Sequence, residues 1–151
     1  MKGETRVMTG KLKKLKILGI IYFICGVAGG INLFARIMMG SYNAISLVES
    51  DIMNEKFASL FLGADLLVSS LVALAHIYIG IKGYEYGIGI GYGYFHVGIS
   101  RLLPIAMLLQ LAGCVVMIFA DKIDYVSIVT SVIGLIIIYN YNKCARIALE
   151  S

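Results

Sequence analysis

The sequence predicts an all-α integral membrane protein: four transmembrane helices in an antiparallel bundle, with both termini in the cytoplasm. Three observations predict it. The chain of 151 residues is 60% hydrophobic and only 15% charged, against roughly 45–50% apolar residues in soluble domains. It holds four apolar runs, each near the roughly 20 residues that cross a bilayer. Its basic residues lie unevenly about those runs, ten of the 13 falling on one side if the spans alternate in direction. That bias is the positive-inside signal of cytoplasmic termini in a multi-pass cell-membrane protein. A soluble helical bundle fits badly, because the runs lack a polar stripe broad enough to face water.

The first 15 residues form a basic tail, with Lys2, Arg6, Lys11, Lys13 and Lys14 against Glu4 alone. Next to an apolar run such a tail is a cytoplasmic retention signal that also attracts anionic headgroups. It has no aromatic residues on which bases could stack, so nucleic acid is not the expected partner. The first span, residues 16–39, is too long for the 7–15-residue apolar core of a cleavable signal. It is read as an uncleaved membrane helix. Residues 40–56 form an outer connection. In it Ile45, Val48, Ile52 and Met53 recur at helical spacing, which suits either a short amphipathic helix on the membrane or an ordinary polar loop.

The second span covers residues 57–81, and a Gly/Tyr-rich cytoplasmic connection covers 82–101. The third span is 102–120, with Pro104 in its first turn, where a missing N–H costs nothing. A short outer turn leads to the fourth span, 123–141, and so makes spans three and four a tight hairpin. Residues 142–151 are a cytoplasmic tail. Tyr22, Tyr125, Tyr139 and Tyr141 lie toward span ends, where a ring can sit among headgroups.

Polar groups at membrane depth are where a function can sit, since each is expensive there. Asp65 lies well inside the second span. Ser69 follows at i+4 and His76 at i+11, and eleven residues bring a helix nearly back into phase. Asp65, Ser69 and His76 therefore share one face. Asp65 and His76 stand about 16 Å apart along the axis, too far to touch. Asn32 and Arg36 form an i,i+4 pair near the outer end of the first span, where Arg36 can approach Asp65. Gln110 in the third span and Ser127, Thr130 and Ser131 in the fourth are further partners. Two readings are open: a polar track for a proton, ion or small solute, and a structural pair with interhelical hydrogen bonds.

Gly26 and Gly30 form a GxxxG motif that lets two backbones approach, within the chain or between copies. Cys25, Cys114 and Cys144 are odd in number and scattered, which suits neither disulfides nor a zinc site. With His76 and His96 as the only histidines, neither a metal nor another cofactor is expected, and no catalytic residue stands out.

In the stretch GYEYGIGIGYGYFHVG, residues 83–98, glycine repeats at every second position from Gly87 to Gly93. A dinucleotide loop needs G-x-G-x-x-G between a strand and a helix, so the spacing is wrong. Three conformations are open: an interfacial loop with its rings at headgroup level, a helical extension of the second span, and a re-entrant segment. For function, composition favours a non-enzymatic membrane protein that acts as a partner or homo-oligomer subunit. The alternative is a small proton- or ion-coupled transporter or channel built on Asp65, Ser69 and His76. A membrane enzyme acting on lipid or thiol has the least support.

Overall fold

The computed structural model describes residues 2–38, 48–49, 54–88, 95–119 and 125–149. Its long elements are all helical: α1 (Lys2–Met38), α2 (Glu55–Gly87), α3 (Phe95–Phe119) and α4 (Tyr125–Leu149). All four contain a segment long and apolar enough to cross a membrane: Leu12–Met38, Glu55–Gly87, Gly98–Phe119 and Tyr125–Ala145. The helices pack side by side, α1 against α2 and α4, and α3 against α2 and α4.

The burial pattern is that of a protein dissolved in lipid. Large apolar side chains point outward, among them Ile31, Phe34, Leu60, Leu102 and Phe119, each at least 67% exposed. Asp65, Ser69, His76, Gln110, Ser127 and Ser131 are buried instead. In water this would strand a very large apolar surface; in a hydrocarbon phase polar groups are the ones to hide.

The closest seam joins α1 to α2, and glycines make it. A Cβ on Gly19 would lie 2.6 Å from the Tyr84 amide nitrogen, and one on Gly26 would lie 2.7 Å from that of Ile77. From the other side, a Cβ on Gly80 would meet the Phe23 nitrogen at 2.6 Å, and one on Gly87 the Lys16 nitrogen at 2.6 Å. Gly19 and Gly26 are seven apart, as are Gly80 and Gly87, so each helix shows its partner small residues at the heptad period. Gly30 has nothing within 4 Å of its Cβ position. Of the GxxxG pair, then, only Gly26 lies in this seam.

Several boundaries differ from those read in the sequence. Helix α1 continues back through the basic tail to Lys2, and Lys16 sits 5.5 Å over the ring of Tyr84. The start of α2 is fixed by Asn54, whose side chain accepts from the Phe57 amide at 3.0 Å. The Gly/Tyr-rich connection is helical at both described ends, residues 82–87 and 95–101, with Ile88 as a capping turn. Residues 83–87 belong to α2, which closes with the Ile88 amide donating to the Tyr84 carbonyl, and residues 95–101 belong to α3. An interfacial loop therefore fails at both ends of the stretch; residues 89–94 lie outside the described residues. So do most of the outer connection and the turn before α4, although Val48 and Glu49 are helical and Val48 packs on Ala58, Leu62 and Met117.

The early start of α3 moves Pro104 from a first turn to the helix interior. A proline there removes the N–H that would bond the carbonyl four residues back, which is that of Ser100. The Asn142 side chain of α4 donates to this carbonyl at 3.1 Å. The Ser100 hydroxyl returns a bond to the Asn142 side-chain oxygen at 2.5 Å. Two of the four tyrosines placed at headgroup level are corrected as well. Tyr125 and Tyr139 are exposed, but Tyr22 and Tyr141 are fully buried in the core with Leu15, Ile79 and Met107.

Candidate functional site

The buried face of α2 carries Asp65, Ser69, Val72 and His76, all under 9% exposed. Helical phase brings them together: intervals of four, three and four residues keep to one side of the cylinder. Facing them are polar side chains from the three other helices.

At one end, Arg36 of α1 forms an ion pair with Asp65. Its other terminal nitrogen donates to the Ser69 hydroxyl at 3.1 Å. Asp65 has room because α3 offers a glycine there; a Cβ on Gly113 would fall 2.7 Å from the carboxylate. Gln110 of α3 lies at 3.4 Å from Ser69 through its amide nitrogen and accepts from Ser131 of α4 at 3.1 Å. Asn32 of α1 donates to Ser127 of α4 at 3.0 Å. Thr130 turns back on its own helix and bonds the Val126 carbonyl. Arg36, Asp65, Ser69, Gln110 and Ser131 thus share one network drawn from all four helices, the Asn32–Ser127 bond lies on the same cavity, and Gly30 takes no part.

These groups enclose a cavity of about 20 Å³, bordered by Cys25 and Gly29 on α1, by Ser69 and His76 on α2, and by Gln110 and Ser131. That volume holds about one water, and the polar lining supplies the partners a buried water needs.

His76 closes the other side. Its Nδ1 lies 2.8 Å from the Val72 carbonyl oxygen, which can only accept, so Nδ1 carries the proton. Nε2 is left as a lone-pair acceptor. It is buried and has no hydrogen-bond partner among the described residues. A Cβ on Gly134 would come within 3.0 Å of it. The ring is held in place by Tyr22, stacked with centroids 5.0 Å apart and planes at 26°. The Tyr22 hydroxyl donates to the Gly134 carbonyl at 3.1 Å, and Tyr141 meets the Tyr22 ring edge-on at 5.9 Å. An interior imidazole fixed on one nitrogen and open on the other can accept a proton or a hydrogen bond. Asp65 and His76 do not touch; Ser69, Gln110, Ser131 and the cavity lie between their levels.

Tyr22, Gly113 and Gly134 belong to this site, and sequence reasoning missed them. The glycines carried no signal there, because each matters only for a side chain on another helix. Among the described residues no three His, Cys, Asp or Glu side chains group as metal ligands would. No protein family, no curated protein and no solved structure matches the chain.

Proposed function

We propose that the chain is a small multi-pass transport protein of the cell membrane that moves protons along the buried face of α2. In this reading the four spans form an antiparallel bundle with both termini in the cytoplasm. The contact register supports the first part: Lys16, Gly19, Gly26 and Arg36 of α1 meet Gly87, Gly80, Ile77 and Asp65 of α2. The bias of basic residues supports the second.

Two observations carry the reading together: His76 Nε2 is a buried acceptor with no partner among the described residues, and the His76 side chain borders a water-sized polar cavity. In this reading a water admitted to the cavity passes a proton to the open nitrogen of His76. Asp65, held by Arg36, is the acidic group at the other end of the path. Ser69, Gln110 and Ser131 bridge their levels with groups that both donate and accept. In proteoliposomes with an entrapped pH dye, the wild type passes protons down an imposed gradient faster than protein-free vesicles. Asp65→Asn, inserted to the same yield, falls to the protein-free rate. Unchanged flux in that variant sinks the proton path.

A second reading is a non-enzymatic partner or homo-oligomer subunit in which the network only pins the helices. The chain of bonds from Arg36 through Ser69 and Gln110 to Ser131 favours it, since it ties all four helices together. The mass of the detergent-purified protein bears on this reading, a stable monomer counting against it.

A further inference from the structure

We infer that the chain carries a site for an anionic phospholipid headgroup between α3 and α4, lined by Arg101, Tyr139, Asn142 and Lys143. The site is independent of the proton path. The four residues border an open groove of about 440 Å³. Arg101 and Lys143 are exposed, and neither forms an ion pair among the described residues. Two cations thus share one groove, which favours a ligand with a negative phosphate. Asn142 is fixed by its two bonds to Ser100, so the floor of the groove is preorganised.

Position selects a lipid over a free anion. Arg101 lies four residues into the apolar segment Gly98–Phe119, and Lys143 near the end of Tyr125–Ala145, so both sit at one rim of the lipid-facing surface. Below Arg101 on the same helical face is Ile105, 59% exposed, and below Lys143 are Tyr139 and Ile136, 69% and 61% exposed. A phosphodiester held by the cations would lay its acyl chains along this apolar seam. Basic pockets between membrane helices are a known headgroup chemistry.

The test uses the full-length protein in detergent, with native mass spectrometry reading bound lipid after addition of phosphatidylglycerol or phosphatidylcholine. The wild type retains phosphatidylglycerol preferentially. Arg101→Gln with Lys143→Gln weakens that retention by about thirtyfold, roughly fivefold for each cation lost near a membrane surface. Arg101→Lys with Lys143→Arg keeps both charges and retains the lipid, which excludes simple misfolding. Equal retention by the wild type and the double Gln variant overturns the proposal. So does displacement of phosphatidylglycerol by millimolar inorganic phosphate, which would mark a free-anion site. The basic N-terminal segment is unchanged in every variant, so its attraction to lipid cancels.

Discussion

The side chain of Asn142 donates to the carbonyl of Ser100, the carbonyl that Pro104 leaves without its helical partner. A neighbouring helix thus supplies the donor that the proline removes, so a buried residue's carbonyl keeps a partner. The two residues should therefore be energetically coupled. Asn142→Leu is expected to destabilise the protein by about 1 kcal/mol, the scale of interhelical hydrogen bonds in membrane proteins. With Pro104→Ala in place the helix restores its own bond, and the cost of Asn142→Leu should fall. Unfolding in mixed detergent micelles measures the cycle; purely additive effects would show that Asn142 does not serve the proline gap.

The seam between α1 and α2 gives a second expectation. A methyl group on Gly80 would strike backbone atoms of α1, which cannot rotate away. Gly80→Ala should cost about 1–3 kcal/mol by overpacking. Gly30→Ala meets nothing within 4 Å and should stay within about 0.5 kcal/mol of wild type. Equal losses at the two positions, measured by the same unfolding assay, would contradict the seam.

The ion pair between Arg36 and Asp65 gives a third. Removing one partner leaves a charge in the interior, which costs about 3–5 kcal/mol. Arg36→Gln should therefore lower stability more than the double change Arg36→Gln with Asp65→Asn, although the double variant has lost more native groups. Thermal unfolding of the three purified proteins in one detergent gives the ranking. A double variant less stable than Arg36→Gln alone would mean that the pair is not desolvated.

Much of this arrangement is legible in the sequence. The apolar runs mark the helices, and the spacing of Asp65, Ser69 and His76 marks their common buried face. Arg36 is also readable as the partner of Asp65, because an interior carboxylate calls for a cation at matching depth. The rest depends on three-dimensional neighbours. Tyr22 and Tyr141 have the composition of interfacial rings, and only their helix partners place them against His76 and each other. Pro104 reads as a first-turn residue because hydropathy marks where lipid begins, whereas helix α3 starts seven residues earlier. The glycine seam repeats every seven residues, so a search for GxxxG finds Gly26 and Gly87 but misses their seam partners Gly19 and Gly80. Gly134 is likewise silent in sequence, although its missing side chain makes room for both the Met107 methyl and Nε2.

Crowding the Gly134 side tests the access to His76. A methyl group at Gly134 would crowd both the Met107 terminal methyl and His76 Nε2. Met107 is flexible and can move aside, whereas the imidazole is fixed by Val72 and Tyr22. Gly134→Ala is expected to cut proton flux severalfold while the protein keeps its helicity and elution volume. Flux at the wild-type rate would show that protons do not approach His76 from the Gly134 side.

The central claim is that His76 carries the proton, and His76→Gln in proteoliposomes tests it most directly. Glutamine keeps a polar side chain at the position but cannot take up a proton in the physiological range. With insertion and helicity matched to wild type, the dye-reported proton flux should drop to the rate of protein-free vesicles. Flux in His76→Gln equal to that of the wild type would contradict the claim.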